Sequence, residues 1–404
     1  MFYCSVTQIK NWFLREPLLD YLNYYGDKEK QAKPYFEECD FSTFIMDMGN
    51  KWEEIVVNIL VEKCKKEGII YTSVERKTGY HQTKTALQQG IDVIFQAQVK
   101  DWNNNIVGYP DIIIKKKAFL KLFKSRVNEL NSIKDNDYIV MDIKYSTIQS
   151  SGPTSEEPDN YIVENSNYIR FIRGQISMYS RLGKFNSKVG FIISKDPFTI
   201  EYPIATVNND PEIVKDCDDA IKWLKMLYEK GKDLDISSLL PNMKNTMDGY
   251  WREYKKELLG ITPPNKLQTI IKKDAVYITT VMCNKFEFGE TVREYVVAVM
   301  VKNKDETYFN ISNSLTDKDE YILLESLHLY LKPFVGTKKF VSYGVGFYGS
   351  INIDITPERR GKIKNKMEIC AAYNRNKVSS EIIEAISTYC LEDCKELENE
   401  YSLL

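Results

Sequence analysis

The stretch Tyr138-Ile-Val-Met-Asp-Ile-Lys-Tyr145 decides how this chain folds. In an extended strand successive side chains point to opposite faces. Tyr138, Val140, Asp142 and Lys144 therefore share one side, and Ile139, Met141 and Ile143 the other. A carboxylate and an ammonium two residues apart in an otherwise apolar strand are costly to bury unless they serve a reaction. Divalent-metal phosphodiester hydrolysis is such a reaction: the carboxylate binds a hard cation such as Mg2+, and the lysine orients or activates water and offsets phosphate charge. A salt-bridged edge strand explains the same pair. A similar pair, Glu253 and Lys255, lies on a helical pattern, where a spacing of two points the side chains apart.

Working outward, strand-like runs cover residues 69–74, 93–99, 111–114, 138–145 and 189–194. Helical periodicity covers residues 7–24, interrupted by Pro17, then 50–66, ended by Gly68, and 169–182. A loop with Ser150, Ser151, Gly152, Pro153 and Pro158 separates the last two strands from one another ahead of that helix. Helix, several strands and helix in that order predict an α/β core with a mixed sheet. Residues 218–260 are helical in pattern, with Trp223, Leu224 and Leu227 on one face and Tyr250, Trp251, Tyr254 and Leu258 on another. Ile261-Thr-Pro-Pro264 reads as a linker. Beyond it come strands over 276–281, 295–301 and 340–343 and a closing helix over 380–401. The expected organisation is a core over 1–200, a helical extension over 201–262 and a second α/β domain over 263–404.

Three further groups stand near Asp142 in kind. In Gly108-Tyr-Pro-Asp-Ile-Ile-Ile-Lys115, Asp111 opens an Ile run, so its carboxylate hangs at a strand end where a metal can be shared; a hairpin Asp fits equally well. In the helix after Gly49, Glu53 shares the stripe of Val56, Val57, Leu60 and Cys64, whereas Glu54 falls with Asn58 and Lys65 on the wet side. Gln175 and Tyr179, four apart on a helix, project together and suit a phosphate or a terminal nucleotide, although a plain amphipathic helix also explains the Tyr. Lys115, Lys116, Lys117, Lys121, Lys124 and Arg126 form a basic stretch suited to nucleic acid or to a solvated face.

Helical Glu53, then Asp111, then Asp142-x-Lys144, then Gln175-x-x-x-Tyr179 resembles the PD-(D/E)XK nuclease superfamily, in its RecB-like branch. The opening Ser5-Val-Thr-Gln-Ile-Lys-Asn-Trp-Phe13 and the run Gly90-Ile-Asp-Val-Ile-Phe-Gln-Ala-Gln98 resemble that branch as well, over residues 1–200. The resemblance implies a DNA endo- or exonuclease of repair, recombination or replication type. Glu53, Asp111, Asp142 and the Ile143 carbonyl would hold one or two Mg2+ or Mn2+ ions, Lys144 would act on the attacking water, and Gln175 and Tyr179 would position DNA. Glu16-Pro17 stands where some of these enzymes carry a cluster cysteine, so no iron–sulfur cluster is expected. The closing Tyr389-Cys-Leu-Glu-Asp393 resembles the last motif of RNase H-like DEDD exonucleases, but Val276-Tyr-Ile-Thr-Thr-Val281 has no acid where that fold's first strand needs a pair, and Tyr343-Gly-Val-Gly-Phe-Tyr348 lacks the expected Asp. Two other readings stay open: a non-catalytic DNA-binding or assembly factor, and an exonuclease seated in the C-terminal domain.

Composition sets the outer limits. The chain has 404 residues, 43% hydrophobic and 28% charged, which is globular and long enough for two domains. A net charge of −2 excludes coating nucleic acid through bulk positive charge. Eight cysteines without C-x-x-C spacing, and His81 and His328 as the two histidines, argue against a zinc site and for a reducing interior. No run approaches the ~18 apolar residues of a membrane span, and the chain reads as intracellular and soluble. The sequence singles out no protein partner.

Overall fold

A computed structural model describes residues 2–31, 41–75, 78–152, 160–236, 251, 254, 257–258, 275–285, 293–304, 306–335, 337–343, 353–356, 366–375 and 377–403. The chain divides into two units, Met1–Ala32 with Asp47–Ile261, and Lys33–Met46 with Thr262–Leu404. Pro153, Pro158, Tyr250, Glu253, Lys255, the Ile261–Pro264 linker, Asp274, Glu287 and residues 344–348 lie outside the described residues. The class is α/β with mixed sheets.

The first unit contains strands β1 (Cys4–Ser5), β2 (Tyr71–Ser73), β3 (Val93–Phe95), β4 (Val99–Asp101), β5 (Ile106–Gly108), β6 (Ile112–Lys115), β7 (Tyr138–Ile143), β8 (Val189–Ile193) and β9 (Ile204–Val207). Its helices include α1 (Lys10–Phe13), α2 (Pro17–Tyr25), most of α3 (Phe41–Glu67), α4 (Gly79–Gln89), α5 (Lys116–Leu122), α6 (Asn167–Gly183) and α7 (Pro211–Lys230). A mixed sheet runs β2-β3-β6-β7-β8-β9, and a smaller one runs β1-β5-β4. Within the larger sheet β7 pairs antiparallel with β6 and parallel with β8.

Alternation along β7 sorts its side chains between two layers. Ile139, Met141 and Ile143 join Trp52, Val56 and Leu60 of α3 in one core, while Val140 joins Ile172 and Ile176 of α6 in the other. Pairing with β6 on one side and β8 on the other makes β7 an interior strand, not the edge strand that a plain ion pair would favour. Capping fixes where the covering helices begin. The Ser166 hydroxyl accepts from the Ile169 amide at 3.3 Å to start α6. Asp210 accepts from the Glu212 amide at 3.0 Å, with Pro211 at the first position of α7. Trp251 packs with Leu18, Leu19 and Leu22 of α2, and its Nε1 donates to Asn23 Oδ1 at 2.8 Å.

Two expected elements are broken. The run over 93–99 splits at Gln96, whose φ of 53° turns the chain so that β4 leaves the large sheet and joins β5. The helix over 7–24 becomes a 3-10 turn at Val6–Ile9, then α1 and α2, because Pro17 excludes its predecessor from helical backbone and Arg15 takes a φ of 63°.

In the second unit β10 (Ala275–Asn284), β11 (Glu294–Asn303), β12 (Glu306–Ile311), β13 (Lys339–Tyr343) and β14 (Ile353–Thr356) form a sheet in the order β12-β11-β10-β13-β14. The three strands through β10 are antiparallel, and β13 and β14 add in parallel. Helices α8 (Asp317–Leu331), α9 (Lys366–Asn374) and α10 (Ser380–Leu403) accompany it. Among the described residues no helix is long and apolar enough to cross a membrane.

Candidate functional site

Register brings two acids together. On β6 and β7 Ile112 lies opposite Met141, so one step further Asp111 faces Asp142 across the pair. Cross-strand neighbours have Cβ atoms about 5 Å apart. Asp111 is tied in place from both sides: its Oδ2 accepts from the Ile143 amide at 2.6 Å, and its carbonyl accepts from the Gln96 amide at 2.7 Å. Asp142 is buried to 1% exposure. Its Oδ2 pairs with the Lys144 ammonium and takes no directed hydrogen bond.

These charges feel each other. Burial, then the Asp142 charge and less strongly Glu53, push the Asp111 carboxyl well above the usual carboxylate range, against the opposing pull of Lys144. Burial also works against the Lys144 ammonium, but Asp142 and Asp111 outweigh it and raise its pKa above the lysine range. The raised Asp111 carboxyl and the firmly cationic Lys144 are two responses to the same excess of negative charge.

Glu53 arrives from α3. Trp52, Val56, Leu60 and Cys64 of that helix are buried, Glu53 is half-buried and Glu54 exposed. Gln96 Nε2 donates to Glu53 Oε1 at 3.3 Å, the long side of a hydrogen bond. Sequence reasoning gave Gln96 no role. Its left-handed backbone carries its main chain to Asp111 and its side chain to Glu53, and no pattern of residue types announces that conformation. Among the described residues no three His, Cys, Asp or Glu side chains converge closely enough to chelate an ion alone. Asp111 and Asp142 face each other across the strands, and Glu53 is bonded to the Gln96 side chain.

Helix α6 supplies the roof. Gln175 and Tyr179 are buried, and Gln175 Nε2 donates to the Tyr179 hydroxyl at 3.4 Å while Gln175 Oε1 has no hydrogen-bond partner. Burial first, then Asp142 and Asp111, drive the Tyr179 pKa well above its ordinary value, so the hydroxyl keeps its proton. The ring of Tyr179 lies against Gly108, where an added Cβ would stand 2.6 Å from Cδ1 and 3.2 Å from Leu182 Cδ1. Gly108 is thus required by the close approach of α6 to β5.

Six sequence candidates, Glu53, Asp111, Asp142, Lys144, Gln175 and Tyr179, thus stand in one neighbourhood, with the Ile143 backbone beside them. The basic run does not. Lys115 sits four residues along β6 from Asp111, about 13 Å away, buried and bonded to the Gly90 carbonyl and Asp92. Lys117 pairs with Asp92 at 3.1 Å, and Lys116 donates to the Ile133 carbonyl at 2.7 Å and pairs with Asp135 at 3.5 Å. Their partners lie far off in sequence, which is why the run looked available. Compared with protein-family models the chain has no match, and compared with curated proteins it has none either.

Proposed function

We propose that the first unit is a divalent-metal-dependent deoxyribonuclease of the PD-(D/E)XK type, in its RecB-like branch. The observation that carries this reading is Asp111 set opposite Asp142 on interior strands, with Lys144 paired to Asp142. Three carboxylates, Glu53 included, face one ammonium, and the deficit of two positive charges matches one divalent ion. The donors are all hard oxygens, which suits Mg2+ or Mn2+ completed by waters and substrate oxygens. Gln175 Oε1, without a hydrogen-bond partner, is a buried acceptor of the kind a cation's waters would satisfy, while Asp142 Oδ2 already pairs with Lys144.

Asp111 and Asp142 would hold the ion, with the Ile143 carbonyl and Glu53 beside them. Such an ion polarises a phosphodiester oxygen and acidifies a neighbouring water. Lys144, kept cationic by Asp142 and Asp111, places positive charge where the phosphate gains negative charge. The protonated Tyr179 hydroxyl donates to a phosphate oxygen, and Gln175 orients it from the next helical turn. In the second unit, three antiparallel strands followed by two parallel ones support an RNase H-like reading, as a domain without a metal centre of its own.

The test is cleavage of linear, nicked, circular and branched DNA with Mn2+, with chelator controls and the Asp142→Asn variant. Cleavage that needs the ion and Asp142 is the expected result. DNA binding without cleavage under any metal would replace the nuclease with a non-catalytic DNA-binding factor.

A further inference from the structure

A cavity of about 890 Å3 is walled by the β4–β5 hairpin, α4, the C-terminal end of α6 and the middle of α7. Its volume is at the upper end for small-ligand sites. Three features of its lining stand out.

The first is charge. Lys84, Lys100, Arg181, Lys184 and Lys222 line it, against Asp101 and Asp218. In a chain of net charge −2 this is a local reversal of sign. Asp101 is moreover spent on its own turn: Oδ1 accepts from the Asn103 and Asn104 amides at 2.9 and 3.2 Å, and Oδ2 from Asn104 Nδ2 at 2.7 Å. Asp218 is paired with Arg181 at 2.9 Å and Lys222 with Asp219 at 3.3 Å, which leaves Lys84, Lys100 and Lys184 to carry the excess.

The second is an indole held in the open. Trp102 sits at the hairpin tip and is 56% exposed. Lys100 Nζ lies 3.5 Å from the ring centroid, and Tyr80 meets the ring at 87°. The Asp101 turn and a 3.2 Å bond from Lys225 to Asn104 fix the tip on which the indole stands. An exposed aromatic on a rigid mount, flanked by cations, is a stacking platform for bases.

The third is continuity. Gln98 lines the cavity and donates to the Tyr109 hydroxyl at 3.2 Å, while Gln96, two residues earlier, reaches Glu53. Leu182 of α6 lines the cavity and lies, like the ring of Tyr179 three residues earlier, against Gly108.

We propose that this groove binds a single strand of nucleic acid running to or from the carboxylate site, with a base stacked on Trp102 and phosphates met by Lys100 and its basic neighbours. The proposal deepens the nuclease reading and rests on it. A single strand is indicated because bases in an intact duplex offer no face to an indole.

The experiment measures binding of a fluorescent oligothymidylate of about eight nucleotides to the full chain, in chelator so that nothing is cleaved. Trp102→Ala should weaken binding about tenfold, Trp102→Phe should keep most of it, and a duplex of the same length should not respond to Trp102→Ala. Lys100→Glu should weaken binding and flatten the salt dependence by about 0.7 per lost phosphate contact. Trp102 is exposed, so an unchanged melting curve shows that the fold survives its replacement. Oligothymidylate binding that ignores Trp102→Ala overturns the groove, as does preferential binding of a polyglutamate peptide, which would make it a protein-docking site. Asp142→Asn separates the two readings. If Asp142→Asn still cleaves while binding depends on Trp102, the assignment of cleavage to the carboxylate site falls and the groove stands. If Asp142→Asn is inactive while binding ignores Trp102, the groove alone falls.

Discussion

Strands β7 and β10 hold the same station in their own sheets, each between an antiparallel and a parallel neighbour, yet they bury opposite kinds of polar group. On β7 the buried polar residue is Asp142, ion-paired to Lys144 and facing Asp111. On β10 it is Thr279, at 3% exposure, whose hydroxyl donates to the Cys390 carbonyl at 3.3 Å and touches Cys394 Sγ at 3.5 Å on α10. The β10 group is neutral and satisfied within the fold. The β7 group is charged and crowded by like charge, a condition that costs several kcal/mol per ion and brings the fold nothing. Under the proposed nuclease reading that charge is kept for chemistry, and β10 shows what the position looks like without it.

The comparison breaks most simply at β7. Asp142→Ala and Lys144→Ala should each lower cleavage at least about a thousandfold, with folding retained. Asp142→Ala should also weaken Mn2+ binding, measured by calorimetry, whereas Lys144→Ala should leave it largely unchanged. Thr279→Ala, the matched change on β10, should leave cleavage untouched and cost about 1 kcal/mol of stability. Activity surviving both β7 substitutions would remove the contrast altogether.

Within α3 the same logic predicts a smaller difference. Glu53→Gln should cut cleavage roughly ten- to a hundredfold, because the side chain faces the carboxylate pair and Gln96. Glu54→Gln, on the exposed face, should be neutral. The reverse ranking in steady-state rates would mean that the helix presents its other face to the reaction.

A third acid sharpens the meaning of buried charge. Asp20 is buried, with its carboxylate accepting from Asn11 Nδ2 at 2.7 Å and Trp223 Nε1 at 2.9 Å. Burial pushes its pKa up to about 6, and those two neutral donors only partly counter it. A carboxyl whose pKa is higher folded than unfolded stabilises the fold below its unfolded pKa near 4, and that stabilisation is lost as pH rises through about 6. The loss is on the order of 2–3 kcal/mol. Urea midpoints should therefore show Asp20→Asn gaining on the wild type between about pH 4 and pH 7. A difference that stays flat over that interval would mean that Asp20 does not titrate there. No metal or substrate should alter the result, which sets Asp20 apart from Asp111.

How far the sequence could be read follows from what each element leaves in it. The period of two in Tyr138–Ile143 and the apolar stripe of α3 are packing signals, and both survive into the two cores. Glu53, Asp142, Gln175 and Tyr179 lie on regular elements whose phase sets direction, and Asp111 and Lys144 stand one residue outside β6 and β7. Helix α4 left little trace, since Gly79, Thr83 and Ala86 are its buried residues and the rest of it is polar. Helix α8 did leave a sign that was passed over: Thr316 caps it by accepting from the Asp319 amide at 3.3 Å, with Asp317, Asp319 and Glu320 in its first turn. The pairing of Lys115 and Lys117 with Asp92 was hidden by sequence distance, and so was the groove at Trp102, assembled from the hairpin, α4, α6 and α7.

The smallest expected effect lies at the other end of the comparison, on α10. Asp393 is buried at 5% exposure, one residue before Cys394, and Cys390 and Cys394 are the side chains that this helix sets against Thr279. An RNase H-like centre would need acids on β10 to share ions with Asp393, and its described residues carry none. Asp354 is a poor substitute. Register places it beside Val341 of β13, which itself pairs with Tyr277 of β10, so Asp354 stands two strands, about 10 Å, from the central strand. Asp393→Asn should accordingly leave the cleavage rate within a few-fold of wild type, with any loss following the melting temperature. Residual exonuclease activity in an Asp142→Ala background that disappears when Asp393→Asn is added would show that the second unit has a reaction centre of its own at Asp393. A Mn2+ ion seated beside Asp393 in a soaked crystal would show the same.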